Sequence, residues 1–231
     1  MTKTPLIKKM AIVALLLMLA LLTRPYGITF NWVLYSLILS ALLLFILLLE
    51  FEERNYDSRM LALTGVLSAI VVSSRQLLHG VEFSPVFFFV ILMGYSYGFV
   101  AGFTIGALSM FISNFFLGHG PWTPFQMLGL GATGGAAGML PRLRGRAGLI
   151  MLAIYSVFTA YLYGVFTDLF SWVAFDPQHT IESFIAISSA GMVANTSRAL
   201  GNVFFMLLLG PSVLKILSRF GKRFTVEYVG T

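Results

Sequence analysis

The sequence of 231 residues contains no cysteine, so neither a disulfide framework nor thiol chemistry contributes to its stability or function. Charge is nearly as scarce. Asp, Glu, Lys and Arg make up 10% of the chain, and none of them occurs between Phe83 and Pro141. Catalytic signatures are missing as well. The chain has no P-loop lysine motif, no HExxH pair and no serine–histidine arrangement suited to intramembrane proteolysis. Its histidines, His79, His119 and His179, do not form a metal-binding pattern, so no resident metal or cofactor is expected. A basic groove interleaved with aromatic residues is absent too, which argues against nucleic acid as a partner.

What is present is apolar. Hydrophobic residues form 58% of the chain and its mean hydropathy is +0.89, more apolar surface than a soluble domain of this length can hide. The net charge of +6 is carried by fifteen basic residues, most of them clustered between apolar runs. Lys3, Lys8 and Lys9 form one cluster, Arg54 and Arg59 a second, Arg142, Arg144 and Arg146 a third, and Lys215, Arg219, Lys222 and Arg223 a fourth. Under the positive-inside rule these are cytoplasmic segments of a multi-pass membrane protein surrounded by lipid.

The runs between the clusters predict the spans in order. Met10–Leu22 is a short first span, retained because Leu22-Thr23-Arg24-Pro25 offers no cleavage site. Arg24–Gly27 is a turn, Ile28–Leu49 a second span, and Glu50–Arg59 a cytoplasmic linker. Spans follow at Met60–Leu78, Pro85–Tyr97, Gly98–Leu117, Pro124–Leu140 and Ala147–Trp172. The short span at Pro85–Tyr97 is required by charge, since without it Arg142–Arg146 would lie outside. Ser183–Leu214 is too long for one straight helix, so an interfacial or re-entrant piece is expected before a last span at about Val193–Leu217. The reading is an all-α polytopic protein of eight spans with both termini cytoplasmic. An N-terminal helix pair with its linker (residues 1–58) precedes a core over residues 59–231.

Several residues stand out against this background. Gly129, Gly131 and Gly134 match GxGxxG, but no strand precedes them, and helix packing accounts for them. Gly98, Gly102 and Gly106 form a second small-residue face, and Gly65, Ala69 and Ser73 a third. Arg198 sits among apolar residues with Asn195 nearby, where a charge costs about 2.5 kcal/mol or more at mid-membrane depth. It either pairs with Asp168 or contacts substrate. Arg75 either snorkels outward or shares that role. Trp122 and Trp172 line a pocket or anchor the interface, and Gln126 bonds a ligand or the Gly118–Pro121 backbone. The three histidines fall on predicted external loops, where one of them could touch ligand.

The most distinctive stretch is SNFFLGHGPWTPFQM from Ser113, followed by a glycine-rich run to Leu140. Two prolines, two glycines and a tryptophan close a tight hairpin there. Together with ALTGVLSAIVVSSR, GFVAGFTIGALSMF and RALGNVFFMLLLGPSVLKILSRF, it resembles the substrate-binding S components of energy-coupling factor (ECF) vitamin transporters, and most nearly the cobalamin-type branch. The likeness covers Arg59 to Phe220 and implies a six-helix S-component bundle, here preceded by two extra transmembrane helices. It also implies a subunit, not an enzyme, that binds a vitamin (cobalamin favoured) from outside. Two ECF ATPases and a transmembrane coupling protein would drive its release inward. The family's partner-docking motif falls on Gly65 and Ala69. The expected substrate site draws on Arg75, His79, Asn114, Trp122, Gln126, Asp168, Asn195 and Arg198, all near outer helix ends. Two other classes remain open. One is an intramembrane enzyme built on Asp168, Arg198 and His179, and the other a scaffold presenting the N-terminal pair.

Overall fold

The computed structural model describes residues 32–53, 58–143 and 145–222, and within them every regular element is a helix. In chain order these are α1 (Trp32–Glu53), α2 (Ser58–Leu77), α3 (Val86–Tyr97), α4 (Phe99–Leu117), α5 (Thr123–Ala137), α6 (Gly145–Phe175) and α7 (Ile181–Lys222). The expected span at Met10–Leu22, the Arg24–Gly27 turn, Arg54 and Arg144 lie outside the described residues. From α2 to α6 the helices follow the expected spans to within a few residues. Glycine sets two of the breaks. Gly98 and Gly118 take φ values of 95° and 105°, a left-handed backbone that a residue with a β-carbon adopts only under strain.

By length and composition α2, α4, α6 and α7 are long and apolar enough to cross a membrane, whereas α1 and α3 carry shorter apolar stretches. The chain is therefore a multi-pass membrane protein. The 12 residues of α3 extend about 18 Å, well short of a hydrocarbon layer of about 30 Å. This helix is apolar on all sides because all its sides are covered. Phe88, Val90, Ile91, Leu92 and Met93 are fully buried among α2, α4, α5, α6 and α7.

Close backbone approach holds the centre together. A β-carbon at Gly94 or at Gly102 would land on the carbonyl of Gly134, and one at Gly106 would sit 2.5 Å from the carbonyl of Leu130. Three helices, α3, α4 and α5, thus meet backbone to backbone. In lipid, apolar side chains gain little by leaving one hydrocarbon for another, so such contact is the main source of helix cohesion. Gly131 in turn seats the ring of Phe103, and Gly129 the rings of Tyr163 and Phe166. The packing reading holds for Gly129, Gly131, Gly134, Gly102 and Gly106, whereas a β-carbon at Gly98 would meet open space and that glycine serves the break between α3 and α4. Outside this seam, α1 lies against α4 and α5 and buries Ser36, Leu39, Ser40, Leu43, Leu47 and Glu50.

The last helix corrects the sequence reading. Residues Ile181–Lys222 form one continuous helix of 42 residues, with no re-entrant break before Val193. Two local causes are visible. Thr180 and Ser183 exchange backbone-to-hydroxyl hydrogen bonds of 3.2 Å each, a capping box that starts the helix early. Along its length α7 packs on α6, itself 31 residues long, so the extension has a partner and does not need to fold back.

Contacts between distant segments place the helix ends. Tyr97 donates to the carbonyl of Leu217 (2.7 Å), and Tyr95 to that of Leu143 (3.0 Å). Arg142 covers the Tyr95 ring at 4.9 Å. This is the basic end of the bundle. At the opposite end the turn after α2, the hairpin before α5 and the outer part of α6 surround two small cavities.

Candidate functional site

The connection between α2 and α3, residues 78–85, closes over the first cavity and is fastened to a single face of α7. Ser197 donates to the Val81 carbonyl (2.7 Å), Arg198 pairs with Glu82 (2.8 Å), and Gly201 leaves room for Phe83 and Ser84. The Phe83 ring then lies 5.6 and 5.8 Å from those of Phe204 and Phe205. Glu82 has a φ of 58°, a conformation that costs a non-glycine residue about 1 kcal/mol or more and is maintained here by these contacts.

Beneath this strap lies a polar cavity of about 190 Å³ lined by Arg75, His79, Glu82, Gln126, Tyr163, Arg198 and their neighbours. Arg198 is bound on every side. Besides Glu82 it donates to Asn195 (2.7 Å), and its guanidinium lies 5.6 Å from the Phe87 ring and 5.2 Å from that of Tyr163. Asn195 is itself buried, and its amide occupies the space that Gly164 leaves open.

Arg75 is held differently. Its Nη1 donates to Asn114 Oδ1 (2.8 Å) and to the Ser113 hydroxyl. Asn114, almost wholly buried, passes the chain on by donating to Thr123 Oγ1 (3.0 Å) and Gln126 Oε1 (2.8 Å). Gln126 therefore takes its hydrogen bond from Asn114, not from the Gly118–Pro121 backbone. The Thr123 hydroxyl also receives the Gly120 N–H (3.3 Å) and lies 3.2 Å from His119 Nδ1, which locks the 118–122 hairpin.

A second cavity of about 250 Å³ adjoins the first. Trp122, Phe125, Phe170 and Phe175 supply aromatic walls, and Gln126 and Thr167 line both spaces. A larger apolar cleft of about 710 Å³ lies between α4, α5 and α6, with Tyr163 lining both it and the polar cavity. Its flank carries the exposed apolar residues Met139, Phe158 and Leu162, as expected of a lipid-facing surface.

Set against the expected site, Arg75, His79, Gln126 and Arg198 line the polar cavity, Trp122 lines the aromatic one, and Asn114 and Asn195 hold the two arginines from behind. Asp168 does not join them. Its carboxylate faces Gly191 on α7, and the partner of Arg198 is Glu82, which corrects the expected Asp168–Arg198 pair. Glu82, Tyr163 and Thr167 were missed. The one signal for Glu82 is an acid standing immediately before the long uncharged run.

The histidines do not converge. His79 reaches the cavity, but His119 packs against Phe111 and Phe115 (ring centroids 5.3 and 4.4 Å), and burial pushes its imidazole below the usual histidine range. His179 approaches the Val173 carbonyl through Nε2 (3.2 Å) and gives its backbone N–H to Asp176 (2.7 Å). The Ser183 hydroxyl, 2.6 Å away, and then that N–H hold Asp176 below the usual carboxylate range. With Arg198 committed to Glu82 and His179 to its own loop, the enzyme cluster of Asp168, Arg198 and His179 does not form. Among the described residues no group of histidine and acidic side chains is arranged to hold a metal ion.

Gly65 and Ala69 lie on the exposed face of α2, and a β-carbon at Gly65 would meet open space.

A sequence model of the family described as "ECF-type riboflavin transporter, S component" matches residues 55–219, a stretch that contains all of α2 to α6 and most of α7. No curated protein and no solved structure matches the chain. The matched family is one of transporter subunits and not of enzymes. With well over half its length matched, and with a multi-pass helical bundle beneath the match, the chain belongs to the ECF-type riboflavin transporter S-component family.

Proposed function

We propose that the protein captures a vitamin of flavin size in the paired cavities, with a flat ring between the aromatic walls and a polar tail toward the arginines. The carrying observation is the shared boundary at Gln126 and Thr167. It joins an aromatic space to a polar one, the combination an amphipathic ring compound needs. The cavities face the loop end opposite the basic clusters, which is the outer end if those clusters are cytoplasmic. ATP hydrolysis then falls to two ATPases acting through a membrane coupling protein, and the uncovered Gly65–Ala69 face of α2 is the surface offered to that partner. In this reading residues 1–58 are an addition to the transport core, and α1 supports α4 and α5 without lining either cavity.

Cobalamin is the second reading, favoured by the wording of the 113–126 hairpin. A corrinoid is far larger than a flavin, so it requires the strap at 78–85 and the hairpin at 118–122 to open. Titration of the purified protein in nanodiscs with riboflavin, followed by quenching of flavin fluorescence, tests the proposal. Saturable binding in the micromolar range or tighter is expected, with about a tenfold loss in Gln126→Ala. Cobalamin binding with no riboflavin binding would replace the first reading by the second, and binding of neither would remove both.

A further inference from the structure

We propose that the substrate of this site carries an anionic group, a carboxylate or a phosphate, and that Arg75 receives it. The inference rests on the assignment of the cavities as the substrate site and goes beyond it in naming the charge of what enters. Two guanidinium groups line the polar cavity, and Glu82 is the one carboxylate among its lining residues. That carboxylate is committed to Arg198 at 2.8 Å. Arg75 has no such partner among the described residues. Its hydrogen bonds go to a neutral amide and a neutral hydroxyl, both through Nη1. Nε and Nη2 make no hydrogen bond to the described residues, and the half-buried side chain stands on the cavity wall.

A cation near the membrane whose hydrogen bonds go only to neutral groups, with Glu82 acting on it at a distance while paired to Arg198, is incompletely compensated, and an anion arriving at the free edge of the guanidinium completes it with charge-assisted, bidentate hydrogen bonds. The group is also aimed in advance. Arg75 is pinned by Asn114, and Asn114 by Thr123 and Gln126, so little side-chain freedom is lost when the anion binds. The same relay ends on the boundary between the two cavities. An anionic tail at Arg75 would therefore leave the rest of the molecule beside Gln126, facing the aromatic walls.

The test uses the full chain in nanodiscs of uncharged lipid at low ionic strength. Its probes are riboflavin, riboflavin 5′-phosphate, inorganic phosphate and acetate. The phosphate ester is expected to bind about tenfold more tightly than riboflavin. Phosphate or acetate at tens of millimolar should raise the melting temperature, and which of the two does so identifies the anion class. Arg75→Gln should abolish the preference for the ester and the stabilisation by anions, while Arg75→Lys keeps part of both. Glu82→Gln frees the second guanidinium and should tighten ester binding, opposite in sign to Arg75→Gln. A purely structural role for both residues would weaken binding in both variants and would overturn the proposal. Equal affinity for riboflavin and its ester, with no stabilisation by either anion, would overturn it while leaving vitamin capture intact. Anion stabilisation that depends on Arg75, with no flavin binding, would support the anion site and remove the flavin reading.

Discussion

At the scale of single residues, the candidate site is two arginines with unlike surroundings. Arg198 meets Glu82 across 116 positions of chain, and the pair is partly open, with side-chain exposures of 11% and 44%. A double-mutant cycle on Arg198→Ala and Glu82→Ala, read by thermal unfolding, should therefore give a coupling of about 1 kcal/mol. Coupling between Arg198 and Asp168 should be smaller, because Asp168 faces Gly191. His119 supplies a pH dependence of definite sign. Its folded imidazole titrates below the ~6.5 of an unfolded one, so the unfolded chain binds more protons. The stabilisation is complete above about pH 6.5 and is lost as pH falls below it. The melting temperature should drop between about pH 7 and 5.5, and His119→Gln should flatten that drop.

At the scale of helices, glycines of the same type play opposite parts. Gly102 and Gly134 stand where backbones touch, and Gly65 stands in open space. Gly134→Val should destabilise by roughly 3 kcal/mol or more, or prevent accumulation of folded protein in the membrane, because a carbonyl cannot move aside as a side chain can. Gly65→Leu combined with Ala69→Leu should leave thermal unfolding and ligand binding nearly unchanged while reducing copurification of the ATPases. Retained copurification would remove α2 as the docking face. The sequence announced these small-residue faces but not which of them are buried. Spacing alone is the same in a seam and on an outer surface.

At the scale of the whole molecule, the uncharged run between Phe83 and Pro141 made α3, α4 and α5 legible, because apolar length and glycine breaks are local properties. The lining of the candidate site was half legible. Arg75, Gln126 and Arg198 announce themselves as polar groups in apolar surroundings, but the role of Glu82 depends on a loop folding back onto a distant helix, which no local pattern records. The continuity of α7 was hidden for a related reason. Its first half mixes polar and apolar residues, and only the capping box and the partner α6 show that it remains helical. Orientation in the membrane can be checked directly, since the chain has no cysteine of its own. Ser58→Cys and Arg144→Cys should react only from the cytoplasmic side, and His119→Cys and Gln178→Cys only from outside. External labelling of Arg144→Cys would reverse the assignment of the basic clusters.

The length of α7 also makes the protein easier to reach by experiment. Its 42 residues extend about 63 Å, and even a tilt of about 40° leaves some 48 Å along the bilayer normal, more than the full headgroup-to-headgroup thickness. Part of the helix must therefore stand clear of the membrane. With Lys215, Arg219 and Lys222 at one interface, the stretch from Ile181 to Lys215 extends about 51 Å, or about 48 Å along the normal at an ordinary tilt of about 20°, so the end beginning at Ile181 is the part that projects. That projection offers an epitope of rigid helix on the same side as the cavities. An antibody fragment raised against residues 181–190 should bind the protein in intact bilayers. It would add recognisable mass to a small, otherwise featureless bundle for particle alignment in electron microscopy.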